Sequence, residues 1–148
     1  MIFNNYKDFP RFGRIIGLDW GLRRCGVAIS DEGRDFVFIR PQINVKTQSD
    51  LVDAVVRLSD EERAVGIVIG LPLYMDGTDS ETTGLVREFA EKLSEKTDLP
   101  VVFVEENLTS VIAQQEMGKV SVPKIKRELD SESAKLILEN AISLLRRA

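Results

Sequence analysis

The sequence has no histidine and only one cysteine, Cys25, in 148 residues. The first absence excludes Ser-His-Asp and Cys-His catalysis and the common histidine-based zinc sites. The second excludes an internal disulfide framework. Basic charge is not in excess: 20 Lys and Arg stand against 24 Asp and Glu, a net charge of −4. That balance argues against a non-specific nucleic-acid binder, which is as a rule basic, but leaves local patches open. No apolar run approaches membrane-spanning length. The N-terminal MIFNNYKDFPRFG has no basic region followed by an apolar one, so no signal peptide is read there. The default expectation is a cytoplasmic protein with no membrane partner. Its acid–base or metal chemistry must run on carboxylates, lysine, tyrosine or water.

What is present fits an ordinary globular chain. Hydrophobic residues make up 43% and charged residues 30%, enough to build a core without disulfides. The length predicts one domain, 1–148. Residues 1–13 read as an irregular lead-in or a short helix packed by Ile2, Phe3, Tyr6, Phe9 and Phe12. RIIGLD and CGVAIS read as two strands around a polar turn. Phe36 to Arg40 reads as a third strand stopped by Pro41, which gives an antiparallel meander. Leu51, Val52, Val55, Val56 and Leu58 fall at helical spacing behind an N-cap at Ser49 or Asp50. VGIVIG and LPVVFVEE are short apolar runs of the kind buried on both faces. Between them lie a loop with a turn at Asp76-Gly77 and a helix marked by Leu85, Val86, Phe89, Ala90 and Leu93. A helix from Thr109 to Met117, a basic loop GKVSVPKIKRE and a last helix over 130–147 follow. The order β-β-β-α-β-α-β-α-α predicts an α/β three-layer fold: a mixed five-stranded sheet with helices on both faces.

Acidic residues punctuate the apolar elements. Asp19 closes the first strand, Glu105 and Glu106 close the last, and Asp130 opens the final helix. Positions 130, 134, 137, 141 and 145 share one helical stripe, so Asp130 belongs with Ala134, Ile137, Ala141 and Leu145 on the buried face. Asp is also a favoured N-cap, and the two roles can coincide. Asp19 can equally serve the turn before Gly21. Strand alternation lets only one of Glu105 and Glu106 share a face with the site, and the pattern does not choose between them. Ligands of open α/β sheets collect at the carboxyl ends of strands, where Asp19 and the Glu pair stand. Converging carboxylates repel one another unless a cation lies between them. Hard oxygen ligands select Mg²⁺ or Mn²⁺, and a pair of such ions is a standard apparatus for phosphodiester hydrolysis. Gly21 is expected to keep the backbone clear for a phosphate, and Arg23 and Arg24 to contact a nucleic-acid backbone. KVSVPKIKR offers Lys119, Lys124, Lys126 and Arg127 with no acid among them. Each of these basic stretches also reads as a solvated turn or loop.

Four blocks together resemble one family. GLDWGLRRCGVAISD (17–31), IVIGLPLYMDGT (67–78), VEENLTS (104–110) and LDSESAKLILE (129–139) occur in the order found in the YqgF/RuvX family. These are Holliday-junction-resolvase-like nucleases with an RNase H-like fold. The resemblance implies a catalytic, metal-holding trio of Asp19, Glu106 and Asp130, since Glu106 matches the second acid of the family's D-E-R block. It implies metal-dependent phosphodiester cleavage in maturation of precursor small-subunit ribosomal RNA, with branched DNA the older proposal. Asn107 stands where the family often has Arg, and Tyr74 where it usually has Asn.

Two other functions compete. Asp-x-Gly followed by a Gly-Val-Ala hairpin also opens actin- and Hsp70-like ATPases, but those enclose a nucleotide between two such domains, and one fold hosts many functions. A non-catalytic factor bound to RNA, ribosomes or transcription complexes is the other. A four-way junction would suit a two-fold homodimer, though no segment marks a dimer face.

Overall fold

The computed structural model describes residues 1–3, 5–107 and 122–148, with the side chains of 107 and 122–131 left out. Its strands are β1 (Ile15–Asp19), β2 (Arg24–Ser30), β3 (Val37–Asn44), β4 (Gly66–Leu73) and β5 (Val101–Asn107). They form one sheet in the order β3-β2-β1-β4-β5. β1–β2 and β2–β3 pair antiparallel, and β1–β4 and β4–β5 parallel. This is the expected meander continued by parallel strands.

Helices cover both faces. α1 (Gln48–Glu61) and α2 (Glu81–Lys96) pack on one side, over a core that includes Ile16, Leu18, Ile67, Ile69, Val86 and Phe89. α3 (Val122–Arg147) packs on the other, over Ile15, Ala28, Val68, Val102 and Val104. The stripe Ala134, Ile137, Ala141 and Leu145 is buried as its spacing predicts. Cys25 is fully buried in β2 as a small core residue. Among the described residues no helix is long and apolar enough to cross a membrane.

Several boundaries depart from expectation. β3 runs through Pro41 to Asn44. It is an outer strand, so a proline that donates no ladder bond is tolerated there. The N-cap of α1 is Thr47, whose side chain accepts from the Asp50 amide. The described residues of 1–13 form no helix: Ile2 bridges Val101, and Phe9 is buried against Gly66. Phe12 is 67% exposed and anchors nothing. The expected helix over 109–117 lies outside the described residues. The basic stretch is helical from Val122 onward, not a loop. Pro123 sits in the first turn of α3, where its missing N–H costs no helical bond. Asp130 is therefore inside α3, and its N-cap reading falls.

Candidate active site

Strand alternation decides between the two glutamates. Val102 and Val104 belong to the core beneath α3, so Glu106 faces α3 and Glu105 faces away. Ile15 lies in the same core, and a methyl built on Gly17 would meet the Leu138 Cβ at 2.8 Å. Asp19, two residues on, therefore shares that face. Glu105 is exposed, whereas Asp19 and Glu106 are half-buried.

The strand between them is bare at the decisive level. Leu18 pairs with Ile69, so Gly70 of β4 stands beside Asp19. A Cβ at Gly70 would lie 2.5 Å from the Ile137 Cδ1 and 3.5 Å from the Glu106 Cγ. Glu106 pairs two residues further on, with Pro72, and its Cγ comes within 3.5 Å of where a Gly70 Cβ would lie. Two strand spacings, about 9.5 Å, separate the two backbones, and the Ile137 side chain of α3 packs down onto the glycine between them.

α3 runs antiparallel to β1. Near its C-terminus the Arg146 Nη2 donates to the Arg34 carbonyl, in the turn after β2. Ala134 and Leu138 lie over Gly17. Position 130 falls one turn, about 6 Å, beyond Ala134 toward the end where Asp19 stands. The backbone thus brings the third expected acid to the same end of the sheet, with its side chain outside the described residues. Among the described residues no group of three Asp, Glu, His or Cys stands close enough to hold a metal.

Burial pushes the Glu106 carboxyl above its ordinary value, because desolvation penalises the ion. Glu106 opens onto a cavity of about 220 Å³ bounded by Leu73, Tyr74, Met75, Gly77 and Glu105. The loop bearing Tyr74 and Met75 is a closed turn: the Tyr74 amide donates to the Thr78 carbonyl at 3.0 Å, and Gly77 takes φ 83°. The Asp76 carboxylate accepts from the Thr78 amide and hydroxyl, which lowers its pKa. Tyr74 and Met75 are 48% and 73% exposed on this rim.

The turn after Asp19 is fastened by residues that no local motif marks. The Trp20 Nε1 donates to the Gln48 Oε1 at 2.8 Å, and the Gln48 Nε2 donates to the Leu22 carbonyl at 2.7 Å. One side chain at the start of α1 therefore holds the turn that presents Arg23. Trp20 sits 28 residues from Gln48, so only the fold reveals the pair. Gly21 serves this turn itself: a methyl there would meet the Arg24 carbonyl at 2.3 Å. The expected phosphate clearance is not its first requirement. Arg23 is exposed, and Arg24 is half-buried in β2. Lys124, Lys126 and Arg127 lie in the first two turns of α3, with side chains outside the described residues.

The comparisons with known proteins bear on this arrangement. The family model described as "RuvX: Holliday junction resolvase" matches residues 13–144. The chain belongs to the RuvX family. RuvX relatives include a Maridesulfovibrio salexigens protein named "Putative pre-16S rRNA nuclease", 38% identical over 85% of this chain and 95% of its own. A Nitratidesulfovibrio vulgaris protein of the same name is 37% identical over 88% and 94%. The RuvX chain also matches a solved structure described as "T. thermophilus RuvC in complex with Holliday junction substrate". That match has a TM-score of 0.56 and 12% identity, and covers 91% of this chain and 96% of the other. Identity that low speaks for the fold alone, and the fold is RNase H-like. With this RuvX membership the chain is a nuclease, a hydrolase of the resolvase-like class.

Proposed function

We propose that the protein cleaves phosphodiester bonds in a divalent-metal-dependent reaction at Asp19, Glu106 and Asp130. The observation that carries the reading is the shared face. Asp19 and Glu106 stand at carboxyl ends of β1 and β5, on either side of β4 at the level of Gly70. The donor set fits a hard cation. All candidate ligands are carboxylates, and the Glu106 carboxyl is held toward its neutral form by burial, a bias that a bound cation reverses. Bound there, Mg²⁺ or Mn²⁺, as a pair of ions, would supply an activated water and offset charge on the leaving oxygen.

The chain's own groups supply position. Gly70 lets Ile137 of α3 seat against the sheet beside the two acids. Gln48 and Trp20 fix the turn that aims Arg23 at a neighbouring backbone phosphate, with Arg24 beside it. Lys124, Lys126 and Arg127 would extend the basic contact along the first turns of α3. The substrate we propose is the precursor of small-subunit ribosomal RNA, the molecule in the relatives' names, with branched DNA second. Such a substrate places the protein in the cytoplasm. A two-fold homodimer would suit a junction.

The test is cleavage of labelled precursor ribosomal RNA, single-stranded RNA and a four-way DNA junction. Each is incubated with Mg²⁺, Mn²⁺ or EDTA, beside an Asp19→Asn variant. Metal-dependent cutting of the RNA, absent in the variant, is expected. Wild-type turnover in Asp19→Asn would remove the assignment, and binding without cutting would favour a non-catalytic factor.

A further inference from the structure

We infer that a small arginine-lined cavity at the C-terminal end of α3, far from the carboxylates, binds a phosphate group. The cavity measures about 150 Å³ and is bounded by Arg11, Arg34, Arg146, Tyr6, Gly33 and two apolar side chains of α3. No carboxylate is among its walls. At about 30 Å³ per water, this is space on the order of five waters, enough for one phosphate.

Arg34 is the reason to expect an anion. It lies in the turn between β2 and β3 with φ 62° and is only 6% exposed. Its Nε donates to the Gly13 carbonyl at 2.9 Å, while its Nη2 is buried with no acceptor among the described residues. A buried guanidinium with an open donor is costly, and chains keep one where something answers it. Burial alone pulls the Arg34 pKa below its usual value, the sign expected of a cation without its counter-ion.

The other two arginines of the cavity already have partners. The Arg11 Nη2 donates to the Ala148 carbonyl at 3.2 Å, and the Arg146 Nη2 to the Arg34 carbonyl at 2.8 Å and the Asp35 Oδ1 at 3.2 Å. The helix end contributes about half a negative charge, and Asp35 one more, at an exposed position. Asp31 and Asp35 both lie beside Gly33, but neither lines the cavity, and the charged groups that do are the three guanidiniums. Bidentate guanidinium donors are the usual recognition of phosphate.

The cavity is not part of the carboxylate site. Gly13, which Arg34 grips, is six residues before Asp19, about 20 Å at strand rise. A phosphate held here is therefore not the one being cut. It is either a free phosphate ion or a phosphate elsewhere on a bound nucleic-acid strand, and both present the same chemistry.

Thermal melts in inorganic phosphate against chloride, at equal ionic strength and with EDTA, test the site. Wild type is expected to show a saturable rise in Tm. The Arg11→Ala/Arg146→Ala double variant should need at least about tenfold more phosphate, from the loss of two charged donors. Arg34→Met should abolish the rise if it folds, and the double variant keeps the test alive if it does not. Asp19→Asn should respond as wild type, so this result is separate from the nuclease reading. No saturable shift in wild type, or an undiminished one in the double variant, overturns the inference. The source is read by titrating an RNA oligonucleotide in EDTA. Competition by phosphate in wild type, absent in the double variant, assigns the strand. Oligonucleotide binding indifferent to phosphate, with the melt shift retained, assigns the free ion.

Discussion

Burial raises the Glu106 carboxyl, so the folded chain holds that proton more tightly than the unfolded chain does. Its contribution to stability is full below the unfolded glutamate value and is lost as pH rises through the raised one. Glu106→Gln removes this loss. In EDTA the variant is expected to melt a few degrees above wild type at pH 8 and level with it at pH 4, since about 1 kcal/mol moves Tm by ~2–4 °C at this size. Added Mn²⁺ should close the gap by stabilising wild type alone. Equal melts at pH 8 in EDTA would mean that Glu106 is not desolvated. Gln48 gives a second expectation at this scale. Gln48→Ala removes both bonds that hold the turn after Asp19, at a cost of about 1–2 kcal/mol. Catalytic efficiency should fall more than that stability loss explains. Denaturant unfolding and cleavage rates on the same preparation separate the two.

At the scale of elements, the packing of α3 rests on two glycines with different tolerances. A methyl at Gly17 meets the Leu138 Cβ at 2.8 Å and the Ala134 carbonyl at 3.1 Å, atoms fixed by the helix. Gly17→Ala should cost about 1–3 kcal/mol. At Gly70 the nearest atom is the Ile137 Cδ1, the far end of a side chain that can turn. Gly70→Ala should therefore fold with less loss, yet lose cleavage, because the methyl displaces Ile137 and stands 3.5 Å from the Glu106 Cγ. Chemical denaturation and activity, measured for both, should rank them in opposite orders. Apolar runs made β1, β2, β4 and β5 legible in the sequence: the first three are central and buried on both faces, and β5, though outermost, buries Val101, Val102 and Val104. The end of β3 was not legible: Pro41 reads as a stop until the strand is known to be outermost. The start of α3 was hidden too, since Lys124, Lys126 and Arg127 mask its apolar period and Pro123 resembles a break. Asp19 and the Glu pair stood out as charges closing apolar runs. The choice of Glu106 needed a family pattern or the sheet's register, and Arg34 in DEGRD looked like any polar turn.

For the whole molecule, charge and ligand linkage set the behaviour. A ligand that binds only the folded chain adds about 2.7 kcal/mol at a hundred times its Kd. Saturating Mn²⁺ should thus raise the wild-type Tm by several degrees and leave Asp19→Asn almost unmoved, as calorimetry can check. With a net charge of −4, nucleic-acid binding has to work through local basic groups against an unfavourable overall field. It should weaken steeply with salt.

Cys25, the single thiol, is fully enclosed in β2. A thiol reagent can reach it only when the sheet comes apart. The rate at which the native protein takes up label is therefore a clock for that opening, in the way protected amides report it. Since every other thiol is absent, one introduced at exposed Met75 would label at once and on its own timescale. The same molecule would then carry a fast reporter beside the Glu106 cavity and a slow one recording the lifetime of the folded sheet.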